Sequence, residues 1–508
     1  MSTLQQRFSN HYSDAPERLQ AYEIPERGEP GKAAGLLLPA SESEVGEMLR
    51  TANETGARLV ISAGRTGLVE AQRPEGEIVL SLEKLQQPLS FSLADGRSFD
   101  FETGLAPEAH GDALAAWWRD AGKPSVDGAS ILVEGAMAVD ALNRILAPID
   151  LMFPMEMGSS SAATVGACVA NASAGANAVC YGTAAHMCVS ASGYWGNGEP
   201  SGNCSAASWR LPATDTLAID SASVNTAWGL IGSQGAFGVI TQVRLRTFPV
   251  PMQREAAMLP VADMPAAMRI LSAARAAFPG EVEEFEFIGR SALELVRGLR
   301  GDAFRWPFET DPGTPYFVLL QLKTPDPNID LAARLYEFLA GELELQDEQI
   351  GYAPLPVLRA IRHSITEASN HRMRELGGGR LSFDTATPVA VFGDYLAGLQ
   401  AQLEADFPQV QLIAFGHAGV GGAHLHLLGT RESPVKGSAA ALIRRVIDVT
   451  LAHGGTFSAE HGIGPKWAEE YAAHTAPETL EGLLGQKRRL DPNNVLNPRS
   501  FGFDRLLK

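Results

Sequence analysis

The chain has 508 residues, 45% apolar and 20% charged, the composition of an ordinary folded protein with length for about two to four domains. Its 41 Lys and Arg against 59 Asp and Glu give a formal charge of −18. That argues against nucleic acid as a partner and leaves a locally cationic pocket open.

Cys168, Cys180, Cys188 and Cys204 show no CxxC spacing, which argues against a disulfide framework, an iron–sulfur cluster or a zinc knuckle. Reduced thiols and a cytoplasmic location are expected. The N-terminus lacks the apolar core of a signal peptide. No apolar run approaches the roughly 18 residues that span a bilayer.

Residues 1–34 are polar and Pro/Gly-punctuated and read as a short arm. Gly35-Leu-Leu-Leu-Pro39 is a strand candidate. Ser41 caps a predicted helix that has early acids and helical apolar spacing. Ala57-Arg-Leu-Val-Ile-Ser62 then runs as a strand into Ala63-Gly64-Arg65-Thr66-Gly67. Such a turn suits an anion, because successive backbone N–H groups can converge on it. Asp95-Gly96 between alternating runs predicts a hairpin; the stretch 85–130 carries no functional reading.

Met157-Gly158-Ser159-Ser-Ser-Ala-Ala163-Thr164-Val-Gly166, continuing through Asn171 to Gly175, is almost free of bulky side chains. Backbone of this kind can lie against something large and flat and offer it N–H and hydroxyl donors; a tightly packed small-residue helix is the other reading. Gly232-Ser-Gln-Gly235-Ala-Phe-Gly238-Val239-Ile240 leads a glycine turn into a β-branched strand. Pro249-Val-Pro251 then breaks the chain, and a domain boundary is expected there.

Beyond it, strands alternate with helices. Helices are predicted from Pro265 and from Leu331 and a buried strand from Pro315, which gives an α+β domain with an antiparallel sheet and helices on one face. Ile361-Arg362-His-Ser-Ile-Thr366 reads as a helix with Arg362 and Thr366 on one face. A guanidinium beside a hydroxyl is a natural carboxylate clamp.

Gly416-His417-Ala-Gly-Val-Gly-Gly-Ala-His424-Leu-His426-Leu-Leu contains strand-like alternation. His424 and His426 therefore share one face, Leu425 and Leu427 the other, and the glycine-rich turn can fold His417 back beside His424. Further on come Ser458-Ala-Glu460-His461-Gly-Ile-Gly464. Two imidazoles and the Glu460 carboxylate make a site for a divalent metal, Zn or Mn, leaving His461 as a base. Clustered histidines are also read as hydrogen-bonded core residues, and spacing alone does not separate the two.

The Gly-His-x-Gly-x-Gly-x-x-His segment, Ser-Ala-Glu-His-Gly-Ile-Gly-Pro-Lys, and Leu-Asp-Pro-Asn-Asn-Val-Leu-Asn497-Pro resemble the C-terminal signatures of the FAD-linked D-lactate and D-2-hydroxyglutarate dehydrogenases, flavoproteins of vanillyl-alcohol-oxidase type. The small-residue stretch and the Gly232–Ile240 element are similar to FAD-binding segments of that family. The resemblance implies an α+β fold: a two-subdomain FAD-binding domain at 35–250, a substrate (cap) domain at 251–465 carrying the metal site, and a return to the FAD domain over 466–508.

It further implies that His417, His424 and Glu460 bind metal, that His461 is the base, and that Arg362 and Thr366 hold the substrate carboxylate. FAD contacts are implied at Gly64, Arg65, Thr66, Gly67, Gly158, Ser159, Ala163, Thr164, Gly166, Asn171, Gly175, Gly232, Gly235, Gly238, Val239, Ile240 and Asn497. The chain departs from the family at Arg65 and Glu70, where glycine is expected. It departs again at Val420, Gly422, His426 and Ser382, where Asp, Asn, a small polar residue and Lys are expected.

The implied reaction oxidises a D-2-hydroxy acid to the 2-oxo acid. Hydride goes to flavin, and electrons pass on to an electron-transfer flavoprotein, quinone or cytochrome; a homodimer is within the family's range. The alternatives are a flavin-binding partner subunit without its own turnover, a non-redox flavin synthase, and a metal-free sugar or aldonolactone oxidase.

Overall fold

A computed structural model describes residues 3–202, 204–205 and 229–507; the Cys204 side chain lies outside the described residues. The chain divides into two compact units. The first comprises residues 1–175, 182–250 and 460–508; the second comprises 176–181 and 251–459.

In the first unit, Ser41 sits extended and accepts from Glu44 N at 3.4 Å, and the helix Glu42–Thr55 ends on Gly56 at φ 68°. Its apolar face puts Val45, Met48, Leu49 and Ala52 into one core with Leu59, Leu80, Ala136 and Val239. A Cβ at Gly46 would fall 2.3 Å from the Tyr194 ring, so only glycine lets the helix lie this close to that ring. The helix touches two sheets. One is four-stranded, in the order Tyr12–Ser13, Gly35–Leu37, Ile78–Ser81, Leu59–Ser62. The other is six-stranded and antiparallel, with Gly238–Arg246 in its interior between Cys188–Trp195 and Ser130–Glu134.

Residues 3–34, expected as an arm, instead fold into this unit. Leu4 and Phe8 are buried in the same core, and Tyr12–Ser13 pairs with Leu36–Leu37. Polar composition hid these few apolar anchors. The Asp95-Gly96 hairpin forms, joining Pro88–Ser92 to Ser98–Asp100, with Gly96 at φ 89°. Trp117 of the helix Pro107–Asp120 packs on Phe91 and Phe99. The 85–130 stretch thus extends the sheet and covers it.

The second unit is built on a six-stranded antiparallel sheet in the order Gln253–Val261, Tyr316–Thr324, Val282–Gly289, Gln411–Gly416, Gly422–Thr430, Gly377–Ala386. The strand Val282–Gly289 is buried along its whole length, so both of its faces are covered. Helices lie on both faces rather than one. Phe287 meets Phe392 of the helix Phe392–Asp406 on one side. Glu284 and Glu286, pointing the other way, meet Arg359 and Arg362 of the helix Leu355–His363. Among the described residues no helix is long and apolar enough to cross a membrane.

Candidate active site

In the first unit, backbone hydrogen bonds tie the glycine-rich segments together. Gly166 N donates to Gly135 O at 2.8 Å, Gln234 N to Ala170 O at 2.8 Å, and Gly232 N to Val169 O at 3.1 Å. Asn497 clasps two of them: its Oδ1 accepts from Ile61 N at 2.9 Å and its Nδ2 donates to Gln234 O at 2.9 Å. The Gln234 Oε1 accepts from both Ile463 N and Gly464 N.

Close backbone approach is the reason for the glycines. An added Cβ would lie 2.1 Å from Ala162 O at Gly64, 2.6 Å from Gly135 O at Gly166 and 2.3 Å from Glu156 O at Gly175. At Gly235 (φ 67°) it would meet Ile61 Cδ1 at 2.7 Å and Asn497 Nδ2 at 2.9 Å.

Five of the ten non-glycine residues with left-handed backbone among the described residues lie in or beside these segments: Arg65 at 58°, Glu70 at 62°, Ala172 at 49°, Gln234 at 55° and Asn497 at 41°. Such strain concentrates at ligand-binding positions. Arg65 and Glu70, which stand where glycine is expected, hold the glycine conformation. Arg65 is steadied over the Tyr22 ring at 4.9 Å and paired with Glu83 at 3.6 Å.

Two buried hydroxyls here, Ser62 Oγ and Thr164 Oγ1, have no hydrogen-bond partner among the described residues. A buried orphan hydroxyl is costly unless a ligand satisfies it. The orphan donors and the close-approach glycines fit a flat, polar-edged group such as FAD. Not every expected contact is a side chain: Val239 is 1% exposed within the core, and Asn171 Nδ2 is spent on Ala167 O at 2.9 Å. Gly158 is exposed with nothing near its Cβ position, and Ser159, half-buried, turns the chain through its carbonyl to Ala162 and Ala163.

In the second unit the sheet register decides the rest. Asp384 lies opposite His424, which lies opposite Phe415; Ser382 lies opposite His426. Directly opposed residues share a face, so these groups line one side of the sheet, as the His-Leu-His alternation predicts. The Ala418–Val420 turn, closed by His417 O accepting from Val420 N and Gly422 N, folds His417 back against His424. Their Nε2 atoms stand 3.3 Å apart.

His417 Nδ1 is 2.6 Å from Glu286 Oε1, and His424 Nδ1 is 3.7 Å from Asp384 Oδ1. A carboxylate only accepts, so Nδ1 of His417 carries a proton, and whenever the ring is neutral its Nε2 presents a lone pair. Two nitrogens each about 2.05 Å from one tetrahedral ion lie about 3.3 Å apart. The donor set therefore fits a divalent metal. Ser458 bridges to Asp384, and Ala459 N donates to Asp384 O at 3.1 Å; Glu460 and His461 are the next two residues of the chain and open the last segment of the first unit.

Arg362 is not solvated. Its Nε donates to Glu286 Oε2 at 2.7 Å and its guanidinium stacks on Phe415, 4.8 Å from the ring centre. The expected single helix is two, Leu355–His363 and Ile365–Leu376, meeting at Ser364. The Ser364 Oγ bonds back to Ala360 O at 2.6 Å and accepts from Arg300 at 2.7 Å. Arg362 and Thr366 thus straddle a junction instead of sharing one helical turn. The helix Ile365–Leu376 supplies Ser369, which meets His426 Nδ1 at 2.8 Å, and Asn370, which accepts from Arg380.

Sequence reasoning missed Glu286. It is fully buried, and while burial pushes its carboxyl up, His417 and the Arg362 guanidinium pull harder and hold it at about 2. The signal was present: Glu283, Glu284 and Glu286 interrupt an apolar strand, and buried acids demand cationic partners. Each has one, in Arg254, Arg359 and Arg362 respectively.

Residues 250–501 match the family model for the FAD linked oxidases, C-terminal domain, and residues 121–200 match the FAD binding domain. The chain is 25% identical over 470 residues to D-2-hydroxyglutarate dehydrogenase of Xanthomonas citri pv. viticola, covering 91% of this chain and 88% of the relative. By its two matched domains the chain is an FAD linked oxidase, and it is similar to the D-2-hydroxyacid dehydrogenases. Within this family, the mitochondrial D-2-hydroxyglutarate dehydrogenase of Bos taurus is also 25% identical, over 474 residues, covering 92% of this chain and 76% of the relative. The fold is that of vanillyl-alcohol-oxidase type flavoproteins. The structure of p-cresol methylhydroxylase with substrate bound superposes with a TM-score of 0.66 at 13% identity, covering 98% of this chain and 95% of that one.

Proposed function

We propose that this flavoprotein oxidises a D-2-hydroxy acid to the 2-oxo acid with help from a divalent metal, Zn or Mn. The observation that carries the metal part is the 3.3 Å convergence of His417 Nε2 and His424 Nε2, with His417 Nδ1 committed to Glu286. Glu460 completes the ligand set in this reading. It follows Ala459 by one peptide, about 3.8 Å between Cα atoms, and Ala459 is bonded to the strand residue opposite His424. The substrate class follows the names of the relatives, D-2-hydroxyglutarate dehydrogenases.

Bound FAD supplies the hydride acceptor, and a divalent ion supplies the positive charge that lowers the pKa of the substrate hydroxyl. Arg362, held on edge by Glu286 and Phe415, orients the substrate carboxylate through its two Nη nitrogens, with Thr366 Oγ1 as a second donor. His461 takes the hydroxyl proton on an imidazole nitrogen as the hydride leaves the α-carbon. Ser62, Thr164 and the close-approach glycines hold the cofactor, and Asn497 fixes the segments around it.

Ser382, in place of the family lysine, lies opposite His426. Arg380, on the same face, already donates to Asn370. These departures keep open a flavin-binding partner subunit without its own turnover. The deciding experiment is anaerobic addition of D- and L-2-hydroxy acids, D-2-hydroxyglutarate and D-lactate among them, to metal-loaded protein while flavin absorbance is followed. Bleaching by a D-acid that EDTA or His461→Ala abolishes is the expected result. A flavin that stays oxidised with every acid, in protein assayed to contain metal, overturns the dehydrogenase reading in favour of the partner subunit.

A further inference from the structure

We propose that Glu286 is a positioning residue that fixes a metal ligand and the substrate clamp together, one with each carboxylate oxygen. The inference rests on the metal-assisted reading above. Oε1 takes His417 Nδ1 at 2.6 Å and Oε2 takes Arg362 Nε at 2.7 Å. Glu286 is 0% exposed, so water does not substitute for either contact.

The first contact fixes the tautomer. With the proton on Nδ1, the lone pair of Nε2 points toward His424, where an ion is to bind. The second contact fixes a plane. A guanidinium held by Nε and stacked on Phe415 at 4.8 Å presents its Nη edge to a carboxylate with little rotamer freedom left to lose. One rigid group in the central strand thereby sets the separation between the metal site and the carboxylate site. The same strand offers an internal control. Glu284, two residues along, is 2% exposed and paired with Arg359 in the same manner.

Glu286→Gln keeps the shape and removes one acceptor. An amide has a single oxygen, and its NH2 cannot accept from His417 or Arg362. On flavin-loaded protein stripped with EDTA, Zn2+ affinity is measured by competition with a fluorescent chelator for wild type, Glu286→Gln and Glu284→Gln. Affinity of Glu286→Gln is expected to fall about 10- to 100-fold, and at saturating metal KM for the 2-hydroxy acid rises more than kcat falls. Glu284→Gln does neither.

Equal affinities for wild type and Glu286→Gln, or equal losses in the two variants, overturn the inference while leaving the metal reading standing. No Zn2+ binding by wild type overturns both. A readout independent of any variant's folding is 15N-histidine NMR of metal-free wild type. His417 is expected as the Nδ1–H tautomer, and an Nε2–H tautomer overturns the inference.

Discussion

Lys487 is wholly buried, and its ammonium donates to Asp491 Oδ2 at 2.6 Å and to the carbonyls of Ala236 and Leu496 at 2.5 and 2.8 Å. Asp491 in turn accepts from Val495 N and Leu496 N. Burial lowers the Lys487 pKa, and Asp491 opposes that. The pair anchors the turn that delivers Asn497 to Ile61 and Gln234. Removing one partner strands a buried charge, so Lys487→Met is expected to lower unfolding free energy by about 3–5 kcal/mol. Urea denaturation reads this, and a loss under about 1 kcal/mol would show that Asp491, through Val495 N and Leu496 N, holds the turn without the ammonium. The thiols follow the same logic: burial pushes Cys168 and Cys188 up to about 12. Native protein treated with iodoacetamide at pH 8 is expected to yield both unmodified in peptide mapping, since the thiolate is the nucleophile; rapid alkylation of either would contradict their burial.

At the scale of elements, the helix Glu42–Thr55 carries its start, stop and buried stripe in its own sequence. Ser41→Ala removes only the cap and is expected to destabilise by about 1 kcal/mol, whereas Leu49→Ala removes a fully buried side chain and is expected to destabilise by about 2–5 kcal/mol. Equilibrium unfolding of the two variants gives the order, and a reversal would mean that the cap matters more than the core. The glycine turn at Gly235 is a different case, because its requirement comes from Ile61 and Asn497, distant in sequence. Gly235→Val should leave much of the core intact and weaken FAD binding by at least about tenfold, roughly 1.4 kcal/mol. Flavin retention on gel filtration and a fluorescence titration test this, and wild-type affinity would remove Gly235 from the cradle.

Over the whole molecule, the first unit is discontinuous, built from residues 1–175, 182–250 and 460–508. The segments proposed to hold flavin come from all three stretches, so cofactor binding should report on closure of that entire unit. Saturation with FAD at 100 times its Kd is expected to raise unfolding free energy by about 2.7 kcal/mol through linkage, seen as a shift of the urea midpoint between apo- and holoprotein. Coincident midpoints would mean that the cradle survives in a largely unfolded chain.

Much of this was legible one residue at a time. Period-two alternation placed His424 and His426 on one face because a strand turns its side chains by a fixed geometry, and small-residue runs marked segments that lie backbone against backbone because only missing side chains permit such approach. Capping and turn chemistry found the Ser41 helix and the Asp95-Gly96 hairpin for the same local reason. Tertiary structure decided what lies opposite each group. It split the Arg362–Thr366 helix at Ser364, put helices on both faces of the second sheet and drew residues 3–34 into a core. It also showed that Arg65 and Glu70, where glycine was expected, adopt the left-handed backbone that glycine favours. Above all it revealed Glu286, whose partners lie 76 and 131 residues away along the chain. Local sequence fixes periodicity and backbone preference, but a buried charge is explained only by the opposite charge that folding brings to it.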